Sequence, residues 1–253
     1  MKIAVITGAS SGMGREFVRQ IDASDSFDEI WVVARRRGRL EALAADTNAI
    51  LRILALDLTR DESLAEYRSL LAEKKPNVAV LVNASGYGRF GAFTDYPLED
   101  YYAMIDLNVK ALVAMTYETL PYMTSGSVIY QLDSLSAFQP VPYINVYGAT
   151  KAFVLSFSRA LNAELKGRGI RVMAVCPGWV RTEFFEHAVK DDTIQYYNRF
   201  YEPQDVVKTA LHDMRRGKDV SICGLPVKAQ VVATKLLPHK IVMHIWLKQQ
   251  KKL

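Results

Sequence analysis

The sequence has few of the residues that build disulfide-bonded or metal-dependent proteins. Its 253 residues include two cysteines, Cys176 and Cys223, and each lies inside or beside an apolar run. That placement indicates two small buried side chains, and neither a disulfide nor a zinc site. The four histidines are scattered without the spacing of metal ligands, so no bound metal is expected.

Long hydrophobic runs and basic–aromatic arrays are lacking as well. No run reaches the ~18 apolar residues that a membrane span needs. No secretory signal precedes the opening strand-like segment KIAVIT, so a cytoplasmic location is expected. The net charge is +5, but much of the excess lies at residues 35–39 and near the C-terminus. Without an array of basic and aromatic residues, no nucleic-acid partner is expected.

Half of the residues are apolar, which is enough for a substantial core in one α/β domain or two small ones. Short apolar runs predict strands at residues 2–6, 29–34, 50–56, 78–82, 127–132, 170–176 and 219–223. Helical periodicity follows Gly14 and predicts further helices at residues 39–45, from about 60, at 95–122 as two consecutive helices, at 149–165 and at 203–216. Because no linker separates these segments, one domain over residues 1–253 is expected.

Tyr147 and Lys151 lie four residues apart, downstream of Ser134. On a helix, residues i and i+4 project from one face. A phenol has a reference pKa near ~10, and a pKa of about 7 requires roughly 4 kcal/mol, at ~1.4 kcal/mol per pKa unit. A neighbouring ammonium lowers the pKa of a phenol, and a cationic cofactor ring can help it. Taken alone, however, the pair is more typical of a surface helix with a chance tyrosine and lysine.

A glycine-rich turn follows the first predicted strand. The run TGASSGMG places Gly8, Gly12 and Gly14 ahead of a helical pattern. Glycines allow a tight turn and a close backbone approach, and the helix N-terminus can face a pyrophosphate. Two further motifs follow apolar strands: NASG at residues 83–86 and PG at residues 177–178.

In this order and spacing, the motifs make the chain resemble the short-chain dehydrogenase/reductase family in its classical form, from about residue 2 to residue 224. The resemblance implies an α/β fold of the Rossmann type. Its sheet would be doubly wound and mostly parallel, with about seven strands flanked by helices in three α/β/α layers.

The resemblance also implies a catalytic set, and each of its positions is filled here, by Asn108, Ser134, Tyr147 and Lys151. Tyr147 would exchange a proton with the substrate oxygen, which Ser134 would bind and orient. Lys151 would lower the pKa of Tyr147 and bind the nicotinamide ribose. Asn108, unfavourable in mid-helix, would hold a water against Lys151, unless it is a plain surface asparagine. Ser136 competes with Ser134, but Ser134 has the family's spacing to Tyr147.

The family pattern implies which residues contact a dinucleotide. Those expected in the glycine-rich turn and after the following strands are Gly8, Ser10, Ser11, Gly12, Met13, Gly14, Asp57, Leu58, Asn83, Ala84, Pro177, Gly178, Val180 and Thr182, together with Tyr147 and Lys151. Asp57 would bond the adenine ring, unless it caps the helix that begins near residue 60. Thr59 competes for that capping role.

The end of the second predicted strand bears on the choice between NAD and NADP. An acidic residue there binds the ribose 2′-hydroxyl of NAD, whereas an arginine accommodates the 2′-phosphate of NADP. This strand leads into an arginine run, while Asp28 and Glu29 lie at its other end. NADP(H) is therefore expected in preference to NAD(H), with Arg35 as the leading phosphate contact and Arg36 second. A solvated run of charges is the alternative.

These expectations combine into an NADP(H)-dependent oxidoreductase that interconverts a carbonyl compound and a secondary alcohol. Residues 183–201 are aromatic-rich and lie where the family keeps its substrate loop. They predict either a lid over an apolar substrate, such as a steroid, an acyl compound or an aromatic ketone, or plain packing. A non-catalytic NADP(H) sensor and a membrane-peripheral, lipid-associated protein are the alternatives. The expected assembly is a homodimer or homotetramer.

Residues 229–253 form a basic amphipathic tail beyond the resembled core. In its second half, Ile241, Val242, Ile245 and Trp246 fall on one helical face. Such a tail can pack on its own subunit or on a second one, lie on a membrane surface, or border the substrate entrance.

Overall fold

The structure, a computed structural model, describes residues 1–189 and 193–253. The aromatic-rich segment 183–201 therefore includes three residues, 190–192, that lie outside this description. The strands, in chain order, are β1 (Lys2–Thr7), β2 (Glu29–Val33), β3 (Ile50–Leu54), β4 (Asn77–Asn83), β5 (Val128–Leu132), β6 (Arg171–Val175), β7 (Trp179–Val180), β8 (Phe200–Tyr201) and β9 (Val220–Ser221).

Seven of these strands form one parallel sheet in the order β3-β2-β1-β4-β5-β6-β9, while β7 pairs with β8 separately. The strand order reverses between β1 and β4, where the chain crosses from one half of the sheet to the other. Residues at the ends of the strands are in register, because Thr7 pairs with Val33 on one side and with Asn83 on the other. Ligands of open α/β sheets bind at such a switch point, outside the carboxyl ends of the strands.

Helices cover both faces of the sheet and explain why its strands are apolar throughout. They are α1 (Gly12–Ser24), α2 (Arg37–Leu43), α3 (Asp61–Lys74), α4 (Leu98–Ile105), α5 (Leu112–Thr119), α6 (Asn145–Glu164), α7 (Phe184–Ala188), α8 (Pro203–Arg215), α9 (Leu225–Leu236) and α10 (His239–Gln249). In β1, Ile3 and Val5 enter the core on one face, and Ala4 and Ile6 enter the core on the other. Side chains alternate along a strand, so a strand buried on both faces needs an unbroken apolar run. The predicted Rossmann-type, three-layer fold is confirmed.

The prediction for residues 95–122 is wrong at its start and incomplete in its middle. Helix α4 begins only at Leu98, because Pro97 occupies its N-cap in an extended conformation. Helices α4 and α5 are then joined by a π-helical turn, Asp106–Ala111. A π turn holds an extra residue and is frequent at functional sites, and Asn108 lies within this one.

Other predicted boundaries move by a few residues. Helix α6 begins at Asn145, four residues earlier than predicted, and β3 ends at Leu54, two residues earlier. The segment predicted to be irregular after Thr182 contains the short helix α7 and strand β8. Single-residue patterns fix such ends poorly, since the last residues of an element are held by tertiary contacts.

The tail forms α9 and α10, which fold back against the body of the chain. Val242 and Trp246 are buried, and the indole Nε1 of Trp246 donates to Pro142 O at 3.0 Å. Ile241 and Ile245, predicted for the same face, remain 47% and 44% exposed. Across the described part of the chain, no helix combines the length and apolarity required to span a bilayer.

Gln250, just after α10, fixes the tail to the segment that leads into β8. Its side chain is fully buried; Oε1 accepts from Gln195 N at 2.8 Å and from Tyr196 N at 3.0 Å. Its Nε2 donates to Tyr196 O at 3.2 Å. These hydrogen bonds therefore join the tail to the segment before β8.

Candidate active site

The glycine-rich turn lies at the switch point of the sheet and packs against the loop after β4. Thr7 Oγ1 accepts from Ala84 N at 3.0 Å and from Ser85 N at 3.1 Å. Gly8 has φ +67°, and a Cβ there would lie 2.6 Å from Ala84 O; a Cβ on Gly14 would lie 2.3 Å from Gly8 O. Only glycine permits this close backbone approach, so the turn presents main-chain groups at the N-terminus of α1.

Asn83 ends β4 and ties the sheet to the helix behind it. Its Nδ2 donates to Thr116 Oγ1 at 3.0 Å and to Gln131 Oε1 at 2.9 Å. Gln131 Nε2 donates to the same Thr116 hydroxyl at 3.0 Å. This buried network holds β4, β5 and α5 together, in keeping with a supporting role for Asn83.

Tyr147 and Lys151 lie on successive turns of α6 and face the carboxyl edge of the sheet. Tyr147 is 8% exposed and Lys151 is 5% exposed. The Nζ of Lys151 lies 5.6 Å from the centroid of the Tyr147 ring and donates to Leu132 O at 2.7 Å. Ser134 follows β5 after one residue, Asp133, and lies beside the Tyr147 hydroxyl, whose pKa it lowers. The structure thus brings these three predicted residues together.

Ser134 is fixed by a short helical turn, Leu135–Phe138, that starts beside it. Its Oγ accepts from Ser136 N at 3.1 Å. Leu135 N donates to Pro177 O at 2.8 Å, which joins this turn to the segment after β6. This hydrogen bond therefore holds the loop after β6 next to Ser134.

Asn108 approaches Lys151 across Gly86. Its Nδ2 donates to Tyr87 O at 2.9 Å and to Thr150 Oγ1 at 3.2 Å, and its Oδ1 accepts from Tyr87 N at 3.1 Å. A Cβ on Gly86 would lie 2.9 Å from Asn108 Oδ1 and 3.8 Å from Lys151 Nζ. The buried side chain thus braces the loop after β4, which is not what a surface asparagine would do.

Burial governs the ionisation of the two central groups. It raises the pKa of Tyr147 above its ordinary value; the hydrogen bond with Ser134 opposes the rise, and the charge of Asp133 adds to it. Burial lowers the pKa of Lys151, and the charge of Asp133 opposes that change. The net effect of the protein groups on the pKa of Tyr147 is therefore a rise, the opposite of the lowering predicted from Lys151.

Asp133 is a site residue that the sequence analysis missed. It lies between the end of β5 and Ser134, and it is 2% exposed. Its Oδ2 accepts from Cys176 Sγ at 3.4 Å. Burial raises the pKa of this carboxyl to about 7, while the charge of Lys151 acts against the rise. An acidic residue directly after an apolar strand was the available signal.

The arginine run after β2 meets the glycine-rich turn through its second member. Arg36 Nη2 donates to Ser10 Oγ at 3.1 Å and to Ser11 Oγ at 3.2 Å. Arg36 and Arg39 also share Glu183, with N–O distances of 3.3 and 2.5 Å. Arg35 is exposed and forms no ion pair with any described residue.

Asp57 and Leu58 follow β3 at the same edge of the sheet. Asp57 Oδ1 accepts from Thr59 N at 3.1 Å and from Thr59 Oγ1 at 2.7 Å, forming a local turn. The helix α3 has Arg60 at its N-cap without a side-chain cap, so both capping alternatives are wrong. Leu58 is buried in the core, which leaves only its main chain for a ligand.

Two adjoining cavities meet at Tyr147. The inner one, about 80 Å³, lies beside the glycine-rich turn. Predicted cofactor residues on its wall are Met13, Ala84, Tyr147, Lys151, Pro177, Gly178, Val180 and Thr182. The outer one, about 220 Å³, opens beyond Ser134 and Tyr147. Trp179 lines both.

The outer cavity has apolar walls and a few neutral polar groups. Its described lining contains no aspartate, glutamate, lysine or arginine. The tail helices supply much of the wall, with Ala233, Leu237, Val242, Ile245 and Trp246. The tail thus borders the cavity as well as packing on the chain.

The aromatic side chains after β6 pack mainly on one another. Phe185 contacts Trp179, Tyr197 and Phe200 with ring centroids 5.3–5.8 Å apart. Phe184 lies 5.5 Å from the Tyr147 ring. Tyr196 lines the outer cavity. The packing alternative is therefore present, and some of the same side chains line the cavities, while a lid over the substrate stays a prediction.

Comparisons with known proteins agree with this geometry. A family model of short chain dehydrogenases matches residues 2–193. Among curated relatives, sulfoacetaldehyde reductase 2 of Chromohalobacter salexigens is 36% identical over 188 residues, or 72% of this chain and 74% of that protein.

Solved structures with the same fold include proteins bound to a dinucleotide. A short-chain dehydrogenase from Sphingobium yanoikuyae, in complex with NADPH, is 32% identical; its TM-score is 0.80, over 93% of this chain and 92% of that one. A bulky-bulky ketone specific alcohol dehydrogenase from Comamonas testosteroni is 26% identical, with a TM-score of 0.73 over 94% and 95% of the two chains.

Proposed function

The chain belongs to the short-chain dehydrogenase family of oxidoreductases, and we propose that it is an NADP(H)-dependent enzyme that interconverts an apolar ketone and its secondary alcohol. The observation that carries this proposal is that Ser134 and the buried Tyr147 and Lys151 line one cavity beside the glycine-rich turn. Their arrangement suits proton transfer to or from an oxygen in the cavity.

The residues of the inner cavity fit a dinucleotide. The turn around Gly8 and Gly14 leaves no room for a Cβ, so main-chain donors at the start of α1 are free to meet a pyrophosphate. Arg36, held over Ser10 and Ser11, would take the 2′-phosphate of NADP with help from Arg35. When bound, the nicotinamide ring supplies the hydride.

The chain's own residues would manage the oxygen and its proton. Ser134 would donate to the carbonyl oxygen and fix its position. Tyr147, which lines both cavities together with Ser134, would hold the proton that passes to that oxygen during reduction. Because burial raises the pKa of Tyr147, the phenol stays protonated for this step. In the oxidation direction, we expect its pKa to fall when a positive charge is bound beside it.

The outer cavity favours a neutral, apolar substrate. A sulfonate or a carboxylate placed there would have no cationic partner among the described lining residues, and an unpaired buried charge is strongly unfavourable. We therefore propose that this chain does not share the sulfonated aldehyde of the Chromohalobacter relative. The name of the Comamonas enzyme, specific for bulky ketones, agrees with an apolar cavity of this kind.

A panel of carbonyl compounds tests the proposal. Oxidation of NADPH is followed with bulky aromatic and alicyclic ketones, acyl ketones, steroids and sulfoacetaldehyde. Tyr147→Phe is expected to lower kcat by about 10²–10⁴-fold, the usual contribution of acid–base catalysis, while NADPH binding is kept. Tyr102→Phe, on the exposed side of α4, is the control. Turnover of Tyr147→Phe at the wild-type rate would refute the proton-transfer role; NADPH binding without turnover of any compound would favour a sensor.

One observation favours a membrane-peripheral role as the second candidate. Leu225, Leu236 and Ile241 on the tail helices are exposed, beside several lysines. Such a face can bind an anionic surface. Flotation with vesicles containing anionic lipid would show binding that Leu236→Glu abolishes if this role is real; no flotation of the wild-type chain would reject it.

A further inference from the structure

Asp133 is a buried carboxyl in the active site that the proposed reaction leaves without a task. Its Oδ2 accepts a hydrogen bond from the Cys176 thiol. Its Oδ1 is buried and accepts no hydrogen bond from the residues that the structure describes. Its main-chain N–H donates to Val175 O at 2.8 Å, so β6 holds the residue in place. A buried carboxylate with one unpartnered oxygen is costly, so this one calls for an explanation.

Lys151 presents the complementary problem. Its side chain is buried, and its ammonium donates one bond, to Leu132 O. A carbonyl uses one of three ammonium protons and supplies no full negative charge. Burial would make such a group give up its proton, yet the proposed reaction uses a charged Lys151 beside Tyr147.

Both residues line the inner cavity, and Lys151 donates to the carbonyl of Leu132, the residue that precedes Asp133. Their charged atoms are not in direct ion-pair contact, yet each charge shifts the pKa of the other group. We propose that Asp133 is the counter-ion of Lys151: its carboxylate keeps the ammonium protonated inside the closed site. Asp133 is thus a positioning residue, which acts on the substrate only through Lys151 and Tyr147. The pairing is a property of the chain; its use in turnover rests on the proposed function.

The surrounding groups leave this pair as the main charge interaction. Lys151 and Tyr147 face Asp133 from α6, and Cys176 faces it from the end of β6. Burial raises the pKa of the Cys176 thiol well above its usual range, so that group is neutral near pH 7. Asp219, beyond the thiol, acts on Cys176 and adds to this rise.

The signs of the shifts agree with the pairing. Burial places the pKa of Asp133 near 7, so the carboxylate is charged at alkaline pH, where a buried ammonium would begin to lose its proton. Its charge raises the pKa of both Lys151 and Tyr147. Removing the charge should therefore move both ionisations to lower pH.

Nuclear magnetic resonance of lysine side chains tests the pairing without any need for turnover. The Lys151 signal, assigned with Lys151→Arg, is titrated in the wild-type chain, in Asp133→Asn and in Cys176→Ala. Asp133→Asn should lower the titration midpoint of Lys151 by about one pH unit or more. Cys176→Ala, which removes the thiol and keeps the carboxylate, should shift the midpoint less than Asp133→Asn does, because Cys176 is the lesser of the two charge effects on Lys151. Equal midpoints in wild type and Asp133→Asn would overturn the proposal.

A second measurement needs no variant at position 133 to fold. The carboxyl carbon of Asp133 in the wild-type chain should report an ionised group between about pH 8 and 9, above its pKa near 7. A carboxyl that stays protonated there would overturn the proposal.

Steady-state kinetics separates this inference from the proposed function. With a ketone that is turned over, Asp133→Asn should shift the alkaline limb of the reduction profile to lower pH, because Lys151 and Tyr147 then lose their protons earlier. A purely structural role would lower kcat without moving the limb, and would overturn the proposal. If Asp133→Asn shifts the titration midpoint of Lys151 but not the alkaline limb of the kinetic profile, Asp133 is the counter-ion of Lys151. In that case the pair is not used in turnover.

Discussion

At the scale of single residues, the first two arginines of the run after β2 have different surroundings. Arg36 reaches the hydroxyls of Ser10 and Ser11, whereas Arg35 acts as a charge on Asp57 and Tyr87. Arg35 lies in the bend between β2 and α2, and Arg36 is the N-cap of α2, so the two adjacent arginines are not expected to serve one phosphate equally.

Cofactor preference is the first residue-scale prediction. Arg36→Ala should raise the KM for NADPH at least about tenfold, equivalent to ~1.4 kcal/mol, and leave the KM for NADH nearly unchanged, since only NADPH has the 2′-phosphate. Arg37→Ala, exposed and paired with Glu41, is the control. If neither Arg36→Ala nor Arg35→Ala alters the ratio of the two cofactors in steady-state assays, the NADP assignment fails.

The second residue-scale prediction concerns the two neighbouring serines, Ser134 and Ser136. Ser134→Ala should lower kcat by about 10²-fold, because it removes a donor aimed at the reacting oxygen. Ser136→Ala should stay near wild type, since Ser134, not Ser136, lines the inner cavity with Tyr147 and Lys151. Equal losses in the two variants, measured at saturating ketone, would contradict the assignment of Ser134.

Spacing could predict Tyr147, Lys151 and Ser134, because a helix places i and i+4 together. Asp133 could not be predicted in this way. The role proposed for Asp133 depends on its burial near Lys151. That burial requires β6 and α6, which lie far from Asp133 in the sequence.

At the scale of elements, the turn from β1 to α1 is the most constrained part of the site. A Cβ on Gly14 would lie 2.3 Å from the carbonyl oxygen of Gly8, a backbone atom that cannot rotate away. The pattern of glycines predicted the turn, and the distances explain why no other residue fits.

Gly14→Ala should therefore destabilise the fold by about 1–3 kcal/mol, as overpacking does, and weaken NADPH binding. Gly38→Ala is the matched control, because a Cβ there meets nothing within 4 Å and lies in α2. That variant should be neutral or up to ~1 kcal/mol more stable. Thermal unfolding and cofactor titration measure both; similar losses for the two variants would refute the steric argument.

Helical periodicity also has a limit, seen between α4 and α5. The π-helical turn around Asn108 inserts an extra residue, but apolar side chains continue on both sides of it, so the pattern resembles ordinary helix. Only the packing of Asn108 against the loop after β4 reveals the turn's position.

The tail helix gives the element-scale prediction for substrate choice. Ile245 lines the outer cavity and Ile241 does not, although their exposures are 44% and 47%. Ile245→Ala should change the ratio of kcat/KM between bulky and small ketones by roughly tenfold or more, because each methylene in a pocket is worth about 1–3 kcal/mol. Ile241→Ala should keep the ratio, and a change of equal size there would show that the effect is not local.

At the scale of the whole molecule, the order of strands and helices was predictable because each strand is a short apolar run between helical patterns. The tail was not, since its sequence allows packing, membrane contact or a cavity wall. Its packing against the chain and its place in the cavity wall depend on hydrogen bonds to distant segments, through Gln250 and Trp246, which the tail sequence alone does not reveal.

Several large apolar side chains remain exposed on the described chain, among them Tyr117 and Leu236. We expect a homodimer or homotetramer, which would cover such surface. Light scattering should then give a mass of two or four times 28.5 kDa. A mass of one chain at micromolar concentration would contradict this expectation.

Trp179 lies between the two cavities, while Trp31 is sealed in the core and Trp246 belongs to the outer wall. The chain therefore carries an intrinsic optical reporter at the junction of the two cavities. Its indole emission should respond to either occupant. With Trp31→Phe and Trp246→Phe in the background, the order in which the two ligands enter becomes visible by stopped-flow fluorescence.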